Sequence, residues 1–308
     1  MSRRGVRRLQ GYKSLRSVET CSLRRGLPVG CLWFSARSRY KTHVARTPFF
    51  IVGAPRSGST FLYYILKAHP KVALTNEARV LDAISLAFEA LTLPFGVRSA
   101  GSGMMGLVSA ESVPALGTIF RKHARAIFQE YYEHTFDHDF THFGDKLPDP
   151  HSAGMAARAD PAVRIVMLVR DPRDVVCSFR SLQKSDHDLG PRGDEMREQP
   201  VAHFAHLWSK TYEILLELAP TRHRVDYVDL IRQPRVEVAR VLEFLGLPMT
   251  REVEHAIATN DTIGGHGTSR TAEESIDRWR RDLPKDDVKL VEEVCGPMMS
   301  RLGLDRRL

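Results

Sequence analysis

Residues 49–60 read Phe-Phe-Ile-Val-Gly-Ala-Pro-Arg-Ser-Gly-Ser-Thr, an apolar run that ends in glycine and passes into a loop ringed with hydroxyls. The run Phe49–Val52 is short and unbroken, as expected of a strand buried on both faces of a parallel sheet. Gly53, then Gly58 after four intervening residues, then Ser59-Thr60 reproduce the spacing of the nucleotide-binding P-loop at all but one position. Where that loop carries Lys this chain has Ser59, and a cation stands two residues before Gly58, as Arg56. The P-loop lysine holds the β- and γ-phosphates during phosphoryl transfer. A loop that keeps the backbone nest and loses the lysine suits a different anion. Ser57, Gly58, Ser59 and Thr60 lead into a helix whose positive end and inward N–H groups favour negative charge. A tight strand-to-helix turn with no ligand would not account for Arg, Ser, Ser and Thr around two glycines.

Working outward, Ser59 to Ala68 reads as the first helix, ended by His69-Pro70. Thr141–Leu147 and Val163–Val169 read as strands, the second followed by Arg170-Asp171-Pro172 and a helix from Arg173. Pro172 suits a first helical turn, where its missing N–H costs nothing. Arg121–Tyr132 and Val201–Leu218 read as helices, the latter with Phe204, Leu207, Trp208, Tyr212 and Leu215 on one face. Arg224–Val228 is a further strand. Val238, Val241, Leu242 and Leu245 follow at helical spacing, and Gly246 caps them. A last helical region starts at Ser275, breaks at Pro284 and resumes through Val288, Val291, Cys295, Met298 and Leu302. Residues 83–120, broken by Pro94, the glycines of 100–106 and Pro114, are expected to form a mobile insertion over a cleft. Residues 184–200 read as a charged loop. Strands alternating with helices give an α/β class, a P-loop-like three-layer fold around a central, mostly parallel sheet. Ligands of such folds bind at the carboxyl ends of the strands, where the 53–60 loop lies.

The net charge of +8 is unevenly placed. Residues 1–46 hold 12 Lys/Arg against the single acid Glu19, and the rest of the chain holds 33 basic and 36 acidic groups. A basic arm, disordered or targeting, therefore precedes a slightly acidic domain at 47–308, and no nucleic-acid partner is expected of the body. The arm's Arg- and Ser-rich composition leaves organellar targeting open. Its longest apolar run, Leu27 to Phe34, is too short to span a bilayer, and no integral membrane anchor is expected. The four cysteines show no C-x-x-C spacing, which argues against zinc and for a reducing, cytoplasmic setting.

A second element, Arg170-Asp-Pro-Arg-Asp-Val-Val-Cys-Ser178, puts a guanidinium at a strand end and a hydroxyl on the following helix. Such a pair can bracket one phosphate, with Arg taking two of its oxygens. The plain alternative is an Arg170 paired with Asp171 or Asp174 in a surface cluster.

Together the two elements resemble the sulfotransferases that use 3′-phosphoadenosine 5′-phosphosulfate (PAPS), above all the branch containing tyrosylprotein sulfotransferases. The resemblance runs from residue 48 onward, through Pro-Arg-Ser-Gly-Ser-Thr at 55–60, His69-Pro70, Glu77-Ala-Arg79, Lys146, Val169-Arg-Asp171, Phe244-Leu-Gly246 and a Ser-x-x-x-Trp segment at 275–279. It implies sulfuryl transfer from PAPS to a hydroxyl or amine, without a metal. The 55–60 loop would take the 5′-phosphosulfate, with Arg56 as the cation nearest the leaving group, and Arg170 and Ser178 would take the 3′-phosphate. Glu77 would be the general base and Lys146 the second cation beside the bridging oxygen. Tyr227 would touch the nucleotide, and a closing stretch at 264–280 would offer Ser269, Arg270 and Arg278 as phosphate or sulfonate ligands. Each has a plainer reading: Glu77 as a helix cap, Lys146 as a solvated lysine, Tyr227 as a core residue, Trp279 as a packing anchor. His69 is a rival base, although His69-Pro70 reads as a helix terminator. The branch has a membrane anchor, paired cysteines and a Golgi-like setting, and this chain is expected to differ on all three. The acceptor is left open among peptide, sugar, lipid and small molecule, and so is a homodimer. The alternative function is a P-loop kinase or NTPase with an altered phosphate loop, for which Asp171 is the one tempting magnesium ligand. A third is a non-catalytic protein that binds through the arm.

Overall fold

Five short runs form one sheet: β1 (Thr47–Val52), β2 (Val72–Asn76), β3 (His142–Lys146), β4 (Arg164–Val169) and β5 (Arg222–Asp226). In this computed structural model the described residues are 46–84, 113–146, 149–184, 193–259 and 268–304. They belong to the unit Ala45–Leu308. The basic arm up to residue 45, residues 85–112 of the expected insertion, 185–192 of the charged loop and the glycine-rich 264–267 lie outside them.

The strand order is β2-β3-β1-β4-β5, and every pairing is parallel. β1 is central, with Phe49 opposite both Gly144 and Arg164. Residues of a strand alternate between faces, and both faces are covered. Phe49 and Ile51, with Val166 and Leu168, pack on α1 (Ser59–Lys67) through Leu62, Ile65 and Leu66. Phe50 and Val52, with Ile165 and Met167, join the other core. That core takes Phe128 and Tyr132 from α2 (Val113–Thr135), Ala153 and Ala157 from α3 (Pro150–Ala159) and Val175, Val176 and Phe179 from α4 (Pro172–Gln183). After α5 (Gly193–Glu198), α6 (Val201–Leu218) adds Phe204, Trp208 and Tyr212. The first core is completed by Leu230 of α7 (Tyr227–Arg232), Val238, Val241 and Leu242 of α8 (Pro234–Leu245) and Val253 of α9 (Arg251–Thr259). The short α10 (Trp279–Asp282) and α11 (Lys285–Arg301) return to the second. Each of Phe49, Phe50, Ile51 and Val52 is at most 1% exposed, and burying such a side chain is worth about 1.5–3 kcal/mol.

Several boundaries differ from the sequence reading. β2 went unread because Val-Ala-Leu is too short to show a period after a helix terminator. α2 begins at Val113, with Pro114 in its first turn, where proline starts a helix rather than breaking it. Helix α5 lies within the stretch read as a charged loop. The fifth strand is 222–226, and Tyr227 opens α7 instead of lying inside a strand.

Candidate active site

All five strands are parallel and end at one edge of the sheet, so the turns that leave β1, β2, β3, β4 and β5 carry the candidate residues side by side. The loop after β1 is wedged between two neighbours. A Cβ on Gly53 would lie 2.4 Å from the Leu168 carbonyl oxygen of β4. Gly58 is left-handed at φ 93°, and a Cβ there would lie 2.4 Å from the Tyr227 ring. Arg56 is left-handed too, at φ 71°, a conformation that costs a non-glycine residue about 1–2 kcal/mol. Arg170 donates from Nη1 to the Arg56 carbonyl at 2.8 Å and helps hold it there. Ser57 is fully buried, its hydroxyl 3.5 Å from that of Tyr212, so it braces the loop from beneath.

A cavity of about 400 Å³ lies over this edge. It is lined by Arg56, Gly58, Ser59 and Thr60 from the loop, and by Glu77, Lys146, Arg170, Ser178, Tyr227 and Ser269 from elsewhere. At one end Lys146, the buried last residue of β3, donates from Nζ to Glu77 Oε1 at 2.6 Å and to Thr60 Oγ1 at 3.5 Å. The solvated-surface reading of Lys146 falls with that. Glu77 follows β2 directly, stays 55% exposed at its side chain and is left-handed at φ 57°. It caps no helix.

At another end Arg56 Nε donates to Ser178 Oγ at 3.1 Å, and Ser178 shares a 3.0 Å hydrogen bond with Thr268. Arg170 is not part of an exposed cluster. Its Nη2 donates to the Ser275 carbonyl at 2.6 Å, and its guanidinium carbon lies 4.3 Å from the centre of the Tyr227 ring. The Tyr227 hydroxyl meets Ser275 Oγ at 2.7 Å. Among the described residues Arg170 Nε is buried with no hydrogen-bond partner. Burial, and then the guanidinia of Arg170 and Arg278, hold the Arg56 pKa below the usual arginine range. Crowded cations and an orphaned N–H donor mark a place suited to an anion.

Arg278 does not line the cavity. Its Nη1 donates at 2.9 Å to the Thr268 carbonyl, Thr268 Oγ1 and Ser269 Oγ, and its Nη2 donates to Ser181 Oγ at 2.8 Å. It pins residues 268 and 269 against the site. Arg270 is exposed and borders a neighbouring depression. Trp279 is a packing anchor, held between Arg173 at 3.9 Å and Arg280 at 4.5 Å. Thr268 and Ser275 were missed as site residues; the signals were their hydroxyls inside the expected closing stretch and the place of Ser275 at the head of the Ser-x-x-x-Trp segment.

The rivals are placed elsewhere. His69 is buried, 3.1 Å from the Pro248 carbonyl through Nε2 and accepting from Lys71 N at Nδ1, away from the cavity. Asp171 caps α4 and is bonded twice to the Arg173 side chain, at 3.0 and 2.6 Å, which leaves little of it for a magnesium ion. Among the described residues no group of three or more His, Cys, Asp and Glu side chains is placed to hold a metal.

By sequence the chain resembles human carbohydrate sulfotransferase 3, at 29% identity over 162 residues, 46% of this chain and 33% of the relative. It also resembles protein-tyrosine sulfotransferase 1 of Danio rerio, at 27% identity over 278 residues, 83% of this chain and 72% of the relative. The chain thus spans 33% of the length of the first of these relatives. Among solved structures it is similar to the sulfotransferase domain from the Synechococcus PCC 7002 olefin synthase, with a TM-score of 0.49, 21% identity, and 82% of this chain and 96% of that one covered. The cytoplasmic expectation is corrected by the sequence relatives. They are carbohydrate and protein-tyrosine sulfotransferases, the branch whose setting is the Golgi membrane. Among the described residues no helix is long and apolar enough to cross a membrane. The model of the sulfotransferase family matches residues 48–251, about two thirds of the chain and the whole of the phosphate loop and both flanking strands, and this protein belongs to that family.

Proposed function

We propose that residues 47–308 form a PAPS-dependent sulfotransferase domain and residues 1–46 an appended arm. The observation that carries the reading is one cavity with polar clusters on two sides of a P-loop-like turn. Lys146, Glu77 and Thr60 form one cluster; Arg56, Ser178 and Thr268, backed by Arg170, form the other. A sulfated bisphosphate nucleotide bears about four negative charges and needs cations and N–H donors spread in this way. Bound PAPS would supply an activated sulfuryl group, whose bond to the 5′-phosphate oxygen breaks as a bond to the acceptor forms.

Transfer of this kind rests on positioning and charge neutralisation. Gly58, Ser59 and Thr60 cradle the 5′ end from the start of α1, and Ser57 braces them. Arg56 and Lys146 balance charge on the leaving phosphate. Arg170 and Ser178 hold the 3′-phosphate, beside Tyr227. Ser269 closes the site, tied down by Arg278. Glu77 takes the proton from the acceptor, and its exposure leaves room for one to approach. The names of the relatives, carbohydrate and protein-tyrosine, put hydroxyl acceptors first.

The test is turnover of labelled PAPS in EDTA across sugar, peptide, lipid and phenol acceptors, with calorimetry on the desulfonated 3′,5′-bisphosphate nucleotide beside Mg-ATP. Transfer in EDTA and heat with the bisphosphate alone are expected. Uptake of Mg-ATP with no heat from the bisphosphate would overturn the reading in favour of a kinase or NTPase.

A further inference from the structure

The turn that carries Glu77 is strained, and one buried carboxylate holds it. Glu77 and Arg79 are both left-handed, each at φ 57°. Two such non-glycine residues in one turn are costly and persist only where their surroundings over-determine them. Asp145 does so from the next strand. It is 1% exposed and sits directly before Lys146 in β3. Its Oδ1 accepts from Ala78 N at 3.3 Å and from Lys146 N at 2.9 Å, and its Oδ2 from Arg79 N at 3.2 Å. The Thr75 hydroxyl donates to the same Oδ1 at 2.9 Å and lies 2.7 Å from the Tyr132 hydroxyl. Glu77 N in turn donates to the Lys146 carbonyl at 3.1 Å.

A buried carboxylate is costly unless hydrogen-bonded, and burial does push the Asp145 pKa up while these four donors pull it down. What the charge does is fasten β3 to the 77–79 turn, one residue from each of the two side chains that meet at 2.6 Å over the cavity.

We propose that Asp145 is a positioning residue for the transfer, setting the Glu77 carboxylate against the Lys146 ammonium by clamping the strained turn at 77–79. The inference rests on the roles given above to Glu77 and Lys146. It says more, since neither role requires a second carboxylate behind the turn.

The test is a double-mutant cycle read in turnover. Asp145→Asn is made in the parent and in Glu77→Gln, and kcat, KM and affinity for the bisphosphate nucleotide are measured in all four proteins. In the parent the substitution should lower kcat about ten- to a hundredfold, the scale of a misplacement near 1 Å. Nucleotide affinity should stay within about twofold, because Arg56, Arg170 and Ser178, the cluster away from Asp145, are not touched. In the Glu77→Gln background the same change should have almost no further effect on kcat, since groups that act as a unit are non-additive. Equal losses in both backgrounds would overturn the Asp145 inference and leave the general base in place. Parent-like turnover of Glu77→Gln itself would instead overturn the base assignment on which the inference stands. If Asp145→Asn does not fold, Thr75→Val removes one donor to the carboxylate and runs the same cycle. A smaller loss confined to the parent background is expected, and equal losses in the two backgrounds would again refute the inference.

Discussion

Two residues of the phosphate loop separate stability from chemistry. Arg56 contributes a side chain to the cavity, whereas the loop path is set by Gly53, Gly58 and the Arg170 bond to the Arg56 carbonyl. Arg56→Ala should therefore keep a near-parent Tm and lose about a hundredfold or more in turnover, the scale of removing one preorganised charge donor. A thermal melt beside a PAPS assay checks both, and unchanged turnover would rule the side chain out. Gly58→Ala should behave in the opposite way. The new methyl needs a left-handed backbone, about 1–2 kcal/mol for an L-residue, and must displace the Tyr227 ring. Both Tm and bisphosphate affinity should fall, and a protein as stable as the parent would show that Tyr227 yields without cost. Ser57 illustrates what sequence could and could not give at this scale. Its place in the motif was readable, but its burial against Tyr212 comes from a residue 155 positions away. Asp145 was unreadable for the same reason. Its partners lie on a strand and a turn that the local pattern did not reveal.

The segment 268–282 is a clamped element, and its clamp titrates. Asp174, 3% exposed at the start of α4, accepts from Trp279 N at 3.1 Å and from Asp277 N at 2.9 Å. Burial pushes its pKa up to about 6. The folded protein then binds a proton that the unfolded chain releases near pH 4. Stability from this group is accordingly greatest below about pH 4 and declines as pH rises through about 6. Asp174→Asn removes the ionisation and keeps the shape. In matched melts from about pH 4 to 8, parent stability relative to the variant should drop across about pH 4–6 and level off above about 7. A gap of constant size would contradict the shifted pKa. At this scale the sequence was most legible where a period or a cap spoke clearly. Val201–Leu218 emerges with the expected bounds and with Phe204, Trp208, Tyr212 and Leu215 buried, but Leu207, expected on the same face, is 38% exposed, and Gly246 caps α8 in the left-handed conformation. It was least legible where elements were short or proline stood at a start, as with β2 and α2.

For the whole molecule, the described sheet and both of its cores are built from residues 46–304. A protein beginning at Ala45 should melt within about 2 °C of the full chain and keep its bisphosphate affinity, because it retains every residue of the sheet and of both cores. Loss of nucleotide binding in that truncation would assign the arm a share in the site. The class of fold followed from strands alternating with helices, yet the central place of β1 did not. Strand order depends on which crossovers pack, and no short stretch of sequence encodes that.

That order also has a biosynthetic consequence. β1 leaves the ribosome first, but it pairs only with β3, which starts at His142, and β4, which starts at Arg164. At about 5–20 residues per second of translation, Phe-Phe-Ile-Val waits on the order of 5–20 seconds without a sheet neighbour. During that delay the nascent chain displays a wholly apolar tetrapeptide, and a chaperone that shields it until residue 169 emerges would govern the yield of active protein.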